Sequence, residues 1–319
     1  VNYYDYMQLS AWQGLSDEHK LALFEDAMKP TFEERHTVGE PYMVNLRMTD
    51  AVCRTLAVEV AGQTFYFLPG QEDVDLGKEE LASDVCLKDQ IKEYSHLRNV
   101  TIEPMFVARK AKIVGVKDKG YYDIVTGQYV GDDRRFYEMN EARIKKELTV
   151  ELDFEASLSW EYPPSILARN MFYMERDELN PDRYYLYQYE DITYSDIWLE
   201  VYSDGFQLLS EDAWEYVFAP KEENHYDHYS DERILLKEAI NPSDSLLPEV
   251  YFESGSNPEK SELTAETGVM KPVALPNLDG QPKSVTDLAE RLVVDVPKSN
   301  QPLSPARFNY RAAIIFYIK

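Results

Sequence analysis

The chain has 319 residues, 44% of them apolar, enough for the core of one large domain or two modest ones, which excludes a wholly disordered protein. Its 58 acids against 33 lysines and arginines leave a net charge of −25, a balance that repels nucleic acid and anionic membranes. No apolar run approaches the ~18 residues a membrane-spanning helix needs. Residues 1–60 read mainly as helix. Ser16 is a candidate N-cap, with His19 at the third helical position. Leu21, Leu23, Phe24 and Met28 follow at helical spacing, and Pro30 is expected to end the run. "MTDAVCRTLAVEV" reads as a second helix running into a strand, capped by Thr49 or Asp50.

The texture then changes. Residues 63–68 of "QTFYFLPGQ" form a short buried-type strand, ended by Pro69 and Gly70. "VTIEPMFVARKAKIVGV" is strand-like and broken at Pro104, and "GYYDIVTGQYVGDD" gives two short strands around Thr126-Gly127. "ARIKKELTVELDFEASLSW" starts helically and then alternates, with Leu148, Val150, Leu152 and Phe154 on one face. "RYYLYQYE" alternates too, placing Tyr185, Tyr187 and Tyr189 together. Residues 219–271 have the Pro, Ser, Asn and acid content of an exposed loop face, and "YRAAIIFYIK" closes the chain as an apolar strand. The expected class is α+β: a small helical segment over 1–60, then a loop-rich domain over 61–319.

The most informative stretch is "DITYSDIWLEVYSDGFQLLSEDAWEYVF". Thr193 and Asp196 fit a capping box, with Ile197, Trp198 and Val201 as the buried stripe. Gly205 sits where a helix-terminating glycine belongs. After the short strand "FQLL", Ser210 caps a second helix whose first turn holds Glu211 and Asp212, favourably placed for the helix dipole. Trp214 and Val217 or Phe218 are expected to face the core, with Leu208 near Trp214.

This unit resembles the signature of the formylglycine-generating, or sulfatase-modifying factor, superfamily, a V-S-W-x-D-A helix followed by G-x-R-L-P-T-E-A-E-W-E-Y-A. Leu208, Glu211, Trp214, Glu215 and Tyr216 match that second segment directly; Ser210 stands for Thr, Gln207 for Arg and Leu209 for Pro. Weaker matches lie in order on either side. "FYFLPGQEDVDLGKEE" resembles the family's opening strand, and "KPVALPNLDGQPKSVTDLAERLVVD" resembles its P-V-G … G-N-V-x-E-W turn, so the resemblance runs over residues 64–319. It implies a C-type-lectin-like core. It also implies a calcium candidate at Glu290, beside a turn whose glycine is Thr286 here. The oxidases of this family act through C-terminal cysteines, whereas "DVPKSNQPLSPARFNYR" contains none; Cys53 and Cys86 lie far upstream. Thiolate chemistry needs sulfur at the site, so formylglycine-generating activity is not expected. The iron-binding sulfoxide synthases of the superfamily use paired histidines, and His19 and His36 lack that spacing.

Other candidates come from the residues themselves. His225, Asp227 and His228 are close enough in "ENHYDHYSDE" to ligate a metal, against the simpler reading of a solvated acidic loop. Tyr226, Tyr229 and Tyr251, with His225 and His228, offer aromatic area and hydrogen-bonding tips for a ligand. Arg109, Lys110, Lys112, Lys117 and Lys119 form a basic island, read first as a solvated strand face. Two cysteines exclude a disulfide framework. The start carries no basic, apolar leader, which favours the cytoplasm; a first residue other than Met keeps a secreted form with a removed leader as the alternative. The favoured function is a non-catalytic protein binding a protein, peptide or glycan, with no cofactor assigned beyond the calcium candidate. The alternatives are a metal-dependent enzyme with relocated ligands and an intracellular scaffold acting through its N-terminal helices.

Overall fold

The structure is a computed structural model that describes residues 2–47, 52–76, 97–149, 161–177, 179–218, 249–252, 260–267, 269–272 and 300–317. It is α+β. Short helices open the chain: α1 (Tyr3–Tyr6), α2 (Leu9–Gln13), α3 (Asp17–Leu23), a π-helical turn Phe24–Met28 and α4 (Lys29–Glu33). Ser16 caps α3 by accepting from the His19 N–H. Pro30 does not stop the run as expected. It falls at the start of α4, directly after the π turn, in which the Lys29 N–H reaches the Phe24 carbonyl. Proline lacks an N–H, and the widened turn absorbs the missing bond.

A seven-stranded sheet is the centre of the molecule. Its order is β13 (Gln207–Leu208), β18 (Ala312–Ile315), β6 (Met105–Ala108), β3 (Gln63–Leu68), β2 (Val52–Val60), β1 (Tyr42–Arg47) and β14 (Glu249–Val250). All neighbours are antiparallel except β1 and β14. The segment 48–60, expected as a helix running into a strand, is strand throughout where it is described, from Val52 on. Its valines and threonine suit a pleated surface, and pairing on both sides holds it there. Thr49 and Asp50 lie outside the described residues.

Both faces of this sheet are covered, which is why β3 and β6 read as unbroken apolar runs. Phe65, Phe67 and Phe106 point to one face, where Trp12, Phe24, Met28 and Phe32 of the N-terminal helices pack on them. Phe32 and Phe106 meet edge to face with centroids 5.1 Å apart. Tyr66, Leu68 and Val107 point to the other face, against Ala213, Trp214, Tyr216 and Val217. Burying each such large side chain contributes about 1.5–3 kcal/mol. The apolar side of the N-terminal helices is thus consumed inside the molecule.

Residues 116–189 form an inserted unit with its own core. Its five strands run in the order β10 (Ser165–Ala168), β11 (Phe172–Arg176), β12 (Arg183–Tyr189), β8 (Val116–Asp123) and β9 (Gln128–Val130). Helix α5 (Arg134–Leu148), capped by Asp133, packs Tyr137, Ile144 and Leu148 on Tyr122, Met174, Tyr184 and Leu186. The first and last strands lie side by side, so chain entry and exit meet. Gly115 accepts from the Glu190 N–H, and its φ of +64° with the Glu190 carbonyl 2.5 Å from a would-be Cβ requires glycine there. The three alternating tyrosines of β12 are not equally buried. Tyr185 is exposed, Tyr187 intermediate and Tyr189 buried, while Tyr184 and Leu186 face the unit's core. Leu148 ends a helix rather than starting a strand face; Val150, Leu152 and Phe154 lie outside the described residues.

A third sheet, β16 (Met270–Pro272), β15 (Ser261–Leu263), β17 (Phe308–Tyr310) and β7 (Lys112–Ile113), ties these parts together. Its first two strands overturn the reading of 219–271 as exposed loop throughout. Lys260, Glu262, Leu263, Thr264, Met270 and Lys271 are all buried, and β14 extends the central sheet. The closing segment is two strands split at Arg311, itself 1% exposed.

Candidate functional site

Helix α6 (Tyr194–Ser203) is fixed at both ends. At its start the capping box is complete: the Thr193 hydroxyl accepts from the Asp196 N–H, and the Asp196 carboxylate accepts from the Thr193 N–H at 2.9 Å. The Thr193 hydroxyl and backbone hold the Asp196 carboxyl below the usual carboxylate range. At its end Gly205 takes φ +81°, a left-handed turn that a side chain would strain, and a Cβ there would come 2.8 Å from Arg35. Arg35 donates to the Ser203 and Tyr202 carbonyls, and His36 contacts the Asp204 carbonyl. The His36 ring also stacks on Phe206, 4.8 Å away. His36 thus serves the helix terminus, and His19 contacts its own cap, Ser16.

The inward face of α6 is Tyr194, Ile197 and Val201. The Tyr194 hydroxyl donates to the Thr264 and Ala265 carbonyls, so the helix is tied to the 260–272 hairpin. The outward face is apolar as well. Trp198 is 47% exposed and Leu199 and Tyr202 are each 59% exposed. The Trp198 and Tyr202 rings stack at 5.3 Å with planes 6° apart. Trp198 therefore does not belong to the buried stripe, contrary to expectation. Acids flank the stripe: Asp196, Glu200 and Asp204 are exposed, and no lysine or arginine occurs between Arg183 and Lys221. Burial first, and then the carboxylates of Glu200 and Asp204, push the Tyr310 hydroxyl well above its ordinary range. The helix surface is thus rigid, aromatic and negative.

Beneath it, the 260–272 hairpin is held by buried ions. Lys260 reaches Glu175 of the inserted unit at 2.5 Å, and the Tyr173 hydroxyl donates to the same carboxylate. Glu262 takes the Arg311 guanidinium in a two-point bond, while Arg311 also donates to the Ala108 and Arg109 carbonyls. Lys271 bridges Glu211 and Glu215, both at 2.6 Å, on α7 (Glu211–Phe218). Arg98 joins the same helix through Asp212 and Glu215. Burial lowers the Lys260 pKa, and Glu175 opposes that shift.

The motif residues singled out in the sequence therefore have structural work. Leu208 pairs with Ala312 in the central sheet, and the Tyr216 hydroxyl donates to Gln71. Glu211 and Glu215 hold Lys271. Trp214 is buried with Val217, but Leu208 belongs to the core on the opposite side of the sheet. Tyr251 is half-buried beside Phe252. His225, Tyr226, Asp227, His228, Tyr229, Glu290 and Cys86 lie outside the described residues. Among the described residues, no group of three or more His, Cys, Asp or Glu side chains is placed to hold a metal. Burial pushes the Cys53 thiol up to about 11, the setting of an unreactive core thiol. In the basic island, Lys119 pairs with Asp133 at 2.7 Å and Lys117 with Glu190 at 3.5 Å.

Sequence reasoning missed Leu199 and Tyr202, although a signal was present. At 100° per residue, the apolar positions of α6 cover an arc of about 200°, wider than the single stripe a surface helix needs. It also missed Lys260, Glu262 and Arg311. The period-two spacing of Lys260 and Glu262 was legible, but their partners lie far along the chain.

A family model for a profilin-like domain of unknown function (DUF7278) matches residues 117–188, the five-stranded inserted unit with its helix. No curated protein and no solved structure matches the chain significantly. Among the described residues, no helix is long and apolar enough to cross a membrane.

Proposed function

We propose that this chain is a non-catalytic binding protein whose partner docks on the outward face of α6. The observation that carries this reading is the stacked, exposed Trp198–Tyr202 pair with Leu199, on a helix locked at both termini. Tryptophan and tyrosine are the residues most enriched where binding energy concentrates, and a helix already rigid loses little entropy on docking. The alternative in which the N-terminal helices carry the partner is less well supported, because Trp12, Phe24, Met28 and Phe32 are spent in the core.

The proposal includes descent of the scaffold from the sulfatase-modifying factors, with a C-type-lectin-like core and without their cysteine chemistry. Its support is the ordered set of sequence motifs over 64–319 and the cap, glycine turn, strand and cap at 193–218. A metal-dependent activity would have to draw on residues such as His225 and His228, and calcium on Glu290.

A photo-crosslinking residue at Leu199 tests the binding reading in extract of the source cells. A discrete adduct is expected from position 199, and none from the equally apolar, exposed Met139 on the inserted unit. The adduct should disappear when Trp198→Ala is added. Equal adducts from both positions, or none from either, would overturn the reading.

A further inference from the structure

We infer that the partner of α6 is an amphipathic α-helix of another protein, with large apolar residues on one face and lysine or arginine beside them. The inference rests on the binding reading above and adds the chemistry of the occupant.

Three observations select it. The first is charge. Asp196, Glu200 and Asp204 flank the stripe, all of them exposed. The stretch from residue 184 to 220 contains no cation, and the chain as a whole carries −25. The one guanidinium at the end of the helix, Arg35, is engaged with the Tyr202 and Ser203 carbonyls. An acidic partner would meet like charge from Asp196, Glu200 and Asp204; a basic one gains affinity and encounter rate from the same field.

The second is that the exposed apolar surface lies on a helix and not on a strand. The surface offered is a helix with its backbone bonds made internally and its final carbonyls taken by Arg35, His36 and the Gly205 turn. An extended peptide docks by adding main-chain bonds to a sheet edge, and α6 has none to give. Side chains alone must make the contact.

The third is shape. Trp198 and Tyr202 lie one turn apart and stack into a continuous ridge, with Leu199 beside it. A ridge of residues four apart fits the groove between the side-chain rows of a second helix. A polar ligand such as a glycan would leave Leu199 covered by nothing apolar.

The test uses the full chain and two synthetic helical peptides of equal length and amphipathicity, one Leu/Lys and one Leu/Glu. Binding is read by calorimetry at low and at physiological salt. The inference expects the Leu/Lys peptide to bind and the Leu/Glu peptide not to. Trp198→Ala combined with Tyr202→Ala should weaken binding about tenfold or more, as loss of central aromatic contacts does. Circular dichroism of the double variant should match the parent, since both rings are outside the core.

Other outcomes separate the two levels of the argument. If the Leu/Lys peptide binds the double variant as tightly as the parent, charge alone is responsible and the assignment to α6 is overturned. If both peptides bind equally and the double variant loses both, the basic partner class is overturned while α6 stands as a binding face. If sedimentation shows a dimer that the double variant abolishes, the occupant is a second copy and the inference falls. If neither peptide binds and the chain stays monomeric, the basic helical occupant is overturned, and the crosslinking result at Leu199 decides the binding reading on its own.

Discussion

Two neighbouring regions invert the usual rule that polarity decides position. The 260–272 hairpin carries Lys260, Glu262 and Lys271 and buries all three. Helix α6, which touches that hairpin through Tyr194, carries Trp198, Leu199 and Tyr202 and exposes all three. A buried charge is tolerable only when an opposite charge is already in place, and each of the hairpin's ions has one. An exposed aromatic ridge has the reverse meaning: among the described residues nothing covers it, as at an interaction site. The hairpin's bonds are made within the chain, the ridge of α6 is the face on which the proposed partner docks, and perturbing each should separate the two.

The largest effect belongs to Glu262→Ala. It takes the carboxylate away from the buried Arg311 guanidinium and should cost about 3–5 kcal/mol in urea unfolding. Glu262→Leu with Arg311→Met should recover much of that. A single variant within experimental error of the parent would mean that water reaches the pair, and the contrast between hairpin and helix would collapse. Trp214→Ala should cost a similar amount, about 3–5 kcal/mol, because its ring is only 8% exposed on the sheet face. A soluble variant with an unchanged melting temperature would refute its place in the core.

Glu175→Gln is expected to cost about 3 kcal/mol at neutral pH, because Lys260 is then buried with no carboxylate. The pH dependence has a definite sign. Burial already places the folded pKa of Lys260 below its unfolded value. Between those two values the unfolded chain binds more protons, so stability rises with pH through that window. Removing Glu175, which opposes the shift, lowers the folded pKa further. The defect of Glu175→Gln should therefore shrink as pH is raised from neutral toward the ordinary lysine range, read as the gap between urea midpoints. A gap that widens with pH would contradict the assignment.

Thr193→Ala removes the cap of α6 and should cost about 1 kcal/mol, measured by thermal unfolding. The Asp196 side of the box adds an acid dependence. Its folded pKa is depressed, so its contribution is present above the unfolded value and lost as pH falls through the folded one. Asp196→Asn should accordingly differ from the parent near neutrality and converge with it at low pH. The smallest effect is that of Trp198→Ala on stability, within about 0.5 kcal/mol. Set against Trp214→Ala, it gives two tryptophans on adjacent helices with opposite roles; a large loss from Trp198 would make α6 a core helix and remove the basis of the binding proposal.

Local rules were legible at residue resolution where the chemistry is local. Ser16, Thr193 with Asp196, Gly205 and Ser210 all cap or terminate helices as read, because a cap is a bond between residues three or four apart. Strands at 63–68, on either side of Pro104 and around Thr126-Gly127 follow from apolar runs and turn residues in the same way. From Val52 on, the segment read as a helix running into a strand is strand throughout, because pairing on both edges overrides a weak local preference.

The sequence by itself determined the α+β class, the cap and turn positions, the buried character of β3 and β6, and a stretch from residue 184 to 220 free of lysine and arginine. Only the tertiary structure decided which charges are inside and which rings are outside. Lys260 meets Glu175, and Glu262 meets Arg311, across long separations in sequence, and no periodicity encodes such a pairing. Trp198 and Trp214 occupy helices of similar composition, yet one side of α7 is covered by the central sheet while the outer side of α6 is covered by nothing in the described chain. Burial is a property of the neighbour as much as of the residue, and the neighbours come from elsewhere in the chain.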